Sequence, residues 1–457
     1  MKKLLYLTAI IVLFSFKNTH AQINPEIEQE LQNTLDSVCN KYKIKGVSAA
    51  IVLPGMGTWK GVYGESYMGN NITPNMLFGM GSNTKTFIAA TLLIMQQNGQ
   101  LNLDDSIGKW ITGYPNISTK ITIRQCLNHT SGLQDYLQND EINDSILDRP
   151  EKVWTKHEIL SLAKTPNFAP GQGFSYSNTN YIVAGIIIEM VAQKLDFAAI
   201  DELILSPLQL TNTYGYGEQG NKPIAHPWSM SMTGTELTDM TTTLLLNNLF
   251  SLANTAGWLI TTAEDNANFW YKLCAKQIIN DQSWQQMTTM RPIGNNAFYG
   301  LGLFRYNNLF NGRTFYSHGG TFFGYINENI FDTTSKVAIS VLTNQDSLNN
   351  NGLLATVISA LHKVTLKLPT TGLNVQEPVL FNHYPNPTNN ELTIQLAEAN
   401  FNGFAEIIDM QGLTILSTKF NNSSGTINTS FVPNGLYVLR ISNNSKSTTK
   451  KLLINHN

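Results

Sequence analysis

One short stretch, "GMGSNTKTF" at residues 79–87, gives the first indication of the fold and of its chemistry. Ser82 and Lys85 lie three residues apart, where a glycine-containing loop leads into an apolar helical pattern that ends at Asn98-Gly99. On a helix, side chains at this spacing are neighbours, and a hydroxyl at the helix start lies in the positive end of the dipole. The stretch therefore predicts that the Lys85 amine lies within hydrogen-bonding distance of the Ser82 hydroxyl.

A Ser-x-x-Lys pattern alone is weak, because it recurs at Ser106, Ser161 and Ser447. The ordinary interpretation is a serine that caps a helix and a lysine in solvent. The chemical interpretation makes Ser82 a nucleophile and Lys85 its activator. It requires burial that lowers the pKa of Lys85 until the amine is neutral.

A second segment, "SYSN" at residues 175–178, precedes another apolar helical pattern. Tyr176 and Asn178 alternate around Ser177, so that both can point to one side. A phenol beside a lysine ammonium is expected to have a lowered pKa and to relay a proton. The Asn178 amide can bind a substrate carbonyl or hold the lysine. The alternative is an aromatic core residue beside a turn asparagine.

A third segment, "SHGGT" at residues 317–321, follows a predicted strand. Gly319 and Gly320 leave the backbone open to a substrate, and a backbone N–H at such an edge can bind an oxyanion. We expect His318, Gly319, Gly320 and Thr321 to contact the substrate at this edge. A histidine standing alone is more often a hydrogen-bonded structural residue.

Composition narrows the class of partner. The 457 residues carry a net charge of −2, which gives no global field to recruit nucleic acid or an anionic membrane. A small-molecule or short-peptide substrate fits better. The sequence has no Gly-x-Ser-x-Gly elbow and no His-x-His or His-Glu-x-x-His spacing, which disfavours an α/β-hydrolase and a zinc enzyme. We expect no metal and no cofactor.

Helix and strand patterns predict an α+β fold. A helix begins at Pro25, two strands follow, the middle of the chain to about residue 296 is mostly helical, and strands return before a helix near residues 352–363. We expect an antiparallel sheet flanked by the N- and C-terminal helices, plus a mostly helical lobe. After a linker at residues 367–378, alternating strands predict a small all-β sandwich at residues 379–457.

The N-terminus predicts export. Lys2 and Lys3 precede an apolar run and a small-residue site before Gln22, which is typical of a cleaved signal peptide at residues 1–21. The main domain then spans residues 22–366, with no integral membrane segment after signal removal. The three cysteines are too few for a disulfide framework and are expected to be core thiols, although one pair could form.

Together these segments resemble the superfamily of serine β-lactamases and penicillin-binding proteins, in its class C-like branch of carboxypeptidases, D-aminopeptidases and esterases. Residues 127–133, "LNHTSGL", and 256–265, "AGWLITTAED", add to the likeness, which covers residues 26–365 in order. The resemblance implies a β-lactamase-like fold and an acyl-enzyme on Ser82, with Lys85 and Tyr176 sharing general-base and general-acid duty. It also implies that Asn178 contacts substrate and that the N–H groups of Ser82 and Thr321 hold the oxyanion.

His318 departs from the Lys-Thr-Gly triad of typical β-lactamases. A histidine is mostly neutral near pH 7, so it is a poor partner for a substrate carboxylate. The departure favours an esterase or a peptidase specific for D-amino acids over an efficient β-lactamase. His129, in the "LNHTSGL" segment, is expected to be structural. A binding or scaffold protein that kept the fold without turnover is the alternative function.

The C-terminal unit resembles the sorting domain of type IX secretion. The likeness lies in "YPNPT" at residues 384–388, "NGLYVLR" at 434–440 and "KKLLI" at 450–454. It implies contact with the secretion machinery, passage across the outer membrane, and a secreted or cell-surface location. A carbohydrate-binding or spacer sandwich is the alternative.

Overall fold

A computed structural model of the protein describes residues 23–230, 236–241, 246–346, 350–368, 381–396, 401–409, 413–443 and 447–456. The predicted signal peptide and residues 369–378 of the predicted linker lie outside these ranges. The chain separates into two compact units, Met1–Leu368 and Pro369–Asn457. The domain boundaries inferred from sequence stay predictions.

The helices of the first unit are α1 Pro25–Tyr42, α2 Thr84–Gln97, α3 Ile123–Leu127, α4 Asp140–Asp148, α5 Lys156–Ser161, α6 Thr179–Ala192, α7 Asp196–Ile200, α8 Ser206–Leu208, α9 Leu246–Ala253, α10 Ala263–Cys274, α11 Asp281–Met287 and α12 Asn350–Thr365. Its strands are β1 Gly46–Leu53, β2 Gly57–Tyr67, β3 Asn70–Asn71, β4 Phe78–Gly79, β5 Thr213–Gly215, β6 Trp228–Ser229, β7 Thr238–Asp239, β8 Leu259–Thr261, β9 Arg291–Gly294, β10 Ala297–Tyr299, β11 Phe304–Leu309, β12 Arg313–Ser317, β13 Gly320–Phe322, β14 Tyr325–Asp332, β15 Ala338–Thr343 and β16 Gln345–Asp346.

The main sheet joins the start of this unit to its end. Among the described residues the order is β3-β2-β1-β15-β14-β12-β11-β10-β9, and β13 pairs with β14. The pairings along this path are antiparallel; Val47, for example, lies opposite Thr343. The fold thus places the "SHGGT" segment beside β14, in the middle of the sheet.

Each face of the main sheet is covered by helices. On one face, Leu31 and Leu35 of α1 and Val357 and Leu361 of α12 form one apolar core with residues of β1 and β15. On the other face, α10 and the helical part of the chain form a second, larger core that includes most of α2 and α6. This arrangement confirms the predicted α+β class, in which terminal helices flank an antiparallel sheet.

The second unit is all-β. Its strands are β17 Phe381–Tyr384, β18 Glu391–Leu396, β19 Gly403–Ile408, β20 Thr414–Phe420, β21 Ser424–Asn428, β22 Gly435–Ser442 and β23 Ser447–Ile454. They form two sheets, β17-β18-β21 and β20-β19-β22-β23. Alternate residues such as Leu392, Ile394, Leu439 and Ile441 are buried in the core that these strands share.

One local prediction was wrong. Ser82 was expected to open the helix, but it lies in a 3₁₀ turn at Gly81–Asn83, and α2 begins two residues later. The three cysteines are buried free thiols, as predicted.

Candidate active site

Ser82 and Lys85 meet at the junction of the 3₁₀ turn and α2. Lys85 is the second residue of the helix, and its Nζ lies 3.0 Å from Ser82 Oγ. The Lys85 side chain is 0% exposed, which rules out the ordinary interpretation of a solvated surface lysine. The spacing and the burial together give the hydroxyl–amine pair that the chemical interpretation requires.

Two further acceptors hold the Lys85 amine. Lys85 Nζ donates to Asn178 Oδ1 at 2.7 Å and to the Ala256 carbonyl at 2.8 Å. The Asn178 amide has one orientation, because its Nδ2 donates to Asp135 Oδ2 at 2.8 Å. Asn178 thus connects the lysine to a carboxylate that the sequence analysis did not single out.

The surroundings of Lys85 make its neutral form available near pH 7. Burial lowers its pKa to about 7, and the charge of Asp135 opposes that shift. A neutral amine has two N–H groups, which the oxygens of Asn178 and Ala256 accept. The nitrogen lone pair is then left facing Ser82 Oγ, which is the geometry that a general base needs.

Tyr176 lies close to the same amine. The Lys85 Nζ is 5.2 Å from the centroid of the Tyr176 ring. The expectation of a lowered phenol pKa was wrong: burial raises the pKa of Tyr176, and a hydrogen bond with Ser82 opposes the rise only in part. The physical reason is that desolvation disfavours the phenolate more than the hydrogen bond with Ser82 favours it. Tyr176 is therefore a protonated phenol beside the Ser82 hydroxyl.

A hydrogen-bonded chain of side chains links the "SYSN" and "SHGGT" segments. The Ser177 N–H donates to His129 Nδ1 at 3.2 Å, which places the His129 proton on Nε2, 3.2 Å from Tyr299 Oη. Tyr299 Oη lies 3.3 Å from His318 Nε2, and His318 Nδ1 lies 2.6 Å from the Gly319 carbonyl. Both imidazoles are buried in the wall behind the site.

Burial also keeps both histidines neutral. It lowers the pKa of His318 to about 3 and holds the pKa of His129 well below its usual range, with the Lys85 charge acting in the same direction. His318 is 1% exposed. It cannot serve as a cation for a substrate, and its predicted substrate contact stays a prediction.

Two glycines bring the backbone of β13 against the Ser82 turn. A Cβ added to Gly320 would lie 1.9 Å from the Met80 carbonyl oxygen and 2.9 Å from Ser82 N. A Cβ added to Gly81 would lie 2.7 Å from the Thr321 carbonyl oxygen and 3.0 Å from Thr321 N. Only glycine permits this approach, which places the backbone nitrogens of Ser82 and Thr321 close to each other.

A cavity of ≈ 290 Å³ opens beside the nucleophile. Ser82, Asn178 and Thr321 contribute to its lining, which is otherwise mainly apolar. The apolar residues are Leu137, Leu249, Leu252, Ala253, Ala256, Phe322 and Phe323. Among the described residues that line the cavity, Asp346 carries the charge. The structure therefore brings the three predicted catalytic residues together at the edge of an apolar cavity.

Three groups that contribute to the site were given no role from the sequence: the side chains of Asp135 and Tyr299 and the Ala256 carbonyl. Asp135 had a local signal, because it follows the "LNHTSGL" segment by two positions. Tyr299 had none, since it stands in an unremarkable aromatic strand. Within the residues that the structure describes, no group of three or more His, Cys, Asp or Glu side chains could hold a metal ion.

Residues 26–361 match the family described as Beta-lactamase, and this match covers most of the chain. The chain belongs to the Beta-lactamase family. Residues 382–455 match a second description, the Secretion system C-terminal sorting domain. Both matches confirm the resemblances stated from the sequence.

Solved structures of this family include two amidases that resemble the chain. A D-stereospecific amidohydrolase from Streptomyces sp. is 27% identical, with a TM-score of 0.63 over 72% of this chain and 97% of that one. A D-amino acid amidase from Ochrobactrum anthropi SV3, complexed with L-phenylalanine, is 25% identical, with a TM-score of 0.65 over 75% and 98%. These relatives support a serine hydrolase of the family.

Curated relatives match over a shorter region. Protein flp of Staphylococcus aureus (strain NCTC 8325 / PS 47) is 28% identical over 222 residues, which are 44% of this chain and 44% of that protein. The chain thus spans less than half the length of this curated relative. The sorting domain implies an interaction with secretion machinery and suggests export. No helix in the described part of the chain is both long and apolar enough to cross a membrane.

Proposed function

We propose that this protein is an exported serine hydrolase that cleaves an ester or amide bond through an acyl-enzyme on Ser82. The observation that carries the proposal is the buried amine of Lys85, 3.0 Å from Ser82 Oγ, with a pKa lowered to about 7. A buried amine that is half neutral near pH 7 can take a proton from the serine, whereas a solvated lysine cannot. Ser82, Lys85 and Tyr176 are the proposed catalytic residues.

The first half-reaction is acylation. Ser82 Oγ bonds to the substrate carbonyl carbon while its proton passes to Lys85 Nζ, and the carbonyl oxygen becomes an oxyanion. The N–H groups of Ser82 and Thr321 stabilise this oxyanion. When the tetrahedral intermediate collapses, the bond to the leaving group breaks, and that group takes the Tyr176 proton while the protonated Lys85 returns a proton to Tyr176.

The second half-reaction is hydrolysis of the acyl-enzyme. A water molecule gives a proton to the same Lys85–Tyr176 pair, its oxygen bonds to the acyl carbon, and Ser82 leaves and is reprotonated. Tyr176 acts as a proton donor and relay, because burial keeps its phenol protonated. Lys85 is the base in both steps.

The cavity supports a substrate with an apolar acyl group. The described residues of its lining are mainly aliphatic and aromatic, with one charged residue, Asp346. His318 is neutral and buried, so it supplies no cation to pair with a substrate carboxylate. We therefore place uncharged or ammonium-bearing substrates, such as esters and D-aminoacyl amides, ahead of β-lactams and of peptides with a free carboxylate. The relationship to D-amino acid amidases points the same way.

The experiment that tests the proposal is covalent labelling with a fluorophosphonate, followed by mass spectrometry of the labelled peptide. The label is expected on Ser82 and is expected to be absent from Ser82→Ala. A panel of p-nitrophenyl esters, D-phenylalanine amide and nitrocefin then ranks the substrate classes. A folded protein that neither reacts with the probe nor turns over any of these compounds would favour the scaffold alternative.

For localisation, we propose that the chain is secreted or held at the cell surface, with the sorting domain presented to the secretion machinery. The support is the match at residues 382–455 and the signal-peptide pattern of the sequence. Cell fractionation of the full chain beside a chain truncated after residue 366 tests this. Retention of the truncated chain inside the cell, with export of the full chain, is the expected result.

A further inference from the structure

Four asparagines lie buried beneath the Ser82 turn and connect it to the main sheet. They are Asn83, Asn266, Asn327 and Asn329, and each is at most 2% exposed. Asn83 follows Ser82 directly, Asn266 lies on α10, and Asn327 and Asn329 lie on β14. Asparagine is depleted in strands and is rarely buried, so two of them on one face of a buried strand require a reason.

The side chains of these asparagines form one continuous hydrogen-bonded network. Trp270 Nε1 donates to Asn83 Oδ1 at 3.1 Å, and Asn83 Nδ2 donates to Asn266 Oδ1 at 2.9 Å. Asn266 Nδ2 donates to Asn329 Oδ1 at 2.6 Å and to Ser340 Oγ at 3.0 Å. Asn329 Nδ2 donates to Asn327 Oδ1 at 3.2 Å.

The network ends on two backbone carbonyls that border the active site. Asn327 Nδ2 donates to the Met80 carbonyl at 2.8 Å, two residues before Ser82. Asn329 Nδ2 donates to the His318 carbonyl at 2.9 Å, two residues before β13. The network therefore binds the Ser82 turn on both sides of the nucleophile, at Met80 and at Asn83. It also binds the "SHGGT" segment at His318.

The network has a single orientation. An indole N–H can only donate and a backbone carbonyl can only accept, so Trp270 at one end and the carbonyls of Met80 and His318 at the other fix every amide between them. Each of the four amides has partners for both its oxygen and its nitrogen. A fully satisfied buried network is rigid, because breaking one bond leaves a desolvated polar group without a partner.

We propose that the network of Asn83, Asn266, Asn329 and Asn327 is a positioning device that sets the separation between the N–H groups of Ser82 and Thr321. Its purpose is to hold the two oxyanion donors at the distance that the tetrahedral intermediate needs. Gly81 and Gly320 allow the backbone of the Ser82 turn to approach the backbone of β13, and the asparagines set the distance between them. The inference rests on the proposed acyl-enzyme function of Ser82.

The test compares Asn329→Leu with a matched control, Asn344→Leu. Asn344 is also 0% exposed, and its Nδ2 donates to the backbone carbonyls of Glu65, Ser66 and His226, away from the Ser82 turn. Both changes remove a buried donor to backbone carbonyls by the same substitution. Acylation is measured as the burst of p-nitrophenol from p-nitrophenyl acetate, and oxyanion binding as inhibition by phenylboronic acid, which forms a tetrahedral anion on the serine.

A misplaced oxyanion donor should slow acylation by roughly 10- to 100-fold in Asn329→Leu and weaken phenylboronic acid inhibition by a similar factor. The dissociation constant of the substrate, taken from the concentration dependence of the burst rate, should change by less than about threefold, because the ground-state carbonyl depends less on these donors. Asn344→Leu should unfold at a lower temperature and still acylate at the wild-type rate. A merely structural role would lower stability in both variants without this selective loss.

Two results would overturn the inference: acylation by Asn329→Leu at the wild-type rate, or equal losses of acylation and boronate binding in both variants. If Asn329→Leu does not fold, Asn327→Ser, which removes the donor to the Met80 carbonyl and the acceptor for Asn329 Nδ2, is judged by the same two measurements. A wild-type protein that releases no p-nitrophenol and takes no fluorophosphonate label refutes the proposed function instead. The two failures are therefore distinguishable.

Discussion

Replacing Asp135 with asparagine should lower the pKa of Lys85 and shift the acidic limb of the pH–rate profile to lower pH. Asp135 raises the pKa of Lys85, while burial lowers it to about 7. Asparagine has nearly the same shape but only one oxygen, whereas Asp135 accepts from the Asn178 amide through Oδ2 and from the Leu137 N–H, in the turn at Tyr136–Gln138, through Oδ1. The substitution therefore removes one negative charge and keeps one of these two hydrogen bonds.

The size of the shift follows from the geometry. Lys85 Nζ lies 2.7 Å from Asn178 Oδ1, and Asn178 Nδ2 lies 2.8 Å from Asp135 Oδ2. With one amide group between them, the two charges are within about 8 Å, and Coulomb's law at an effective dielectric constant of about 20 gives about 2 kcal/mol. That energy corresponds to about 1.5 pKa units. Because burial raises the pKa of Asp135 as well, its charge is incomplete at low pH, and we expect a shift of about 1 to 1.5 units.

The assay is kcat/KM for a p-nitrophenyl ester from about pH 5 to about pH 9. Wild-type activity should rise with pH through about 7, as Lys85 loses its proton, and the limb of Asp135→Asn should lie at lower pH. Asp104→Asn is the control, since it removes a carboxylate that pairs with Arg124 on the surface. A limb that stays in place or moves to higher pH in Asp135→Asn would refute the assignment of Lys85 as the base.

Three other outcomes are expected. Tyr176→Phe should lower kcat by roughly 10²- to 10⁴-fold in steady-state assays, because the protonated phenol is lost, and a loss below about threefold would remove it from the mechanism. Nitrogen-15 NMR should show His129 and His318 as neutral tautomers at about pH 5, since burial lowers both pKa values; imidazolium signals there would contradict the geometry. Burial raises the pKa of Glu328 from 4.5 to about 7, so its contribution to stability is full below the first value and is lost as pH rises through the second. Glu328→Gln should therefore raise the free energy of unfolding at about pH 8 by ~1–3 kcal/mol and give no such gain at about pH 4, which thermal melts at the two pH values can check.

The sequence predicted the fold class and the contact between Ser82 and Lys85, because both depend on short-range patterns. Apolar periodicity marks α1, α12 and the strands, and the spacing of Ser82 and Lys85 follows from helix geometry. The Asn178 amide was expected either to bind substrate or to hold the lysine, and it bonds to the lysine.

The features that the sequence could not predict depend on burial and on long-range contacts. The raised pKa of Tyr176 follows from desolvation, which no local pattern encodes. Tyr299 joins two histidines that are far apart in the chain, and Asn266 reaches Asn329 across 63 positions. Such partners become visible only when the sheet and α10 are packed together.

The contact between the Ser82 turn and β13 divides the site into a part that can evolve and a part that cannot. No side chain fits at Gly81 or Gly320, where a methyl group would collide with the opposite backbone. The apolar lining at Leu249, Leu252 and Phe323 has no such constraint. Directed evolution toward new acyl groups should therefore randomise the lining and leave both glycines untouched, since libraries at the glycines would yield mostly inactive clones.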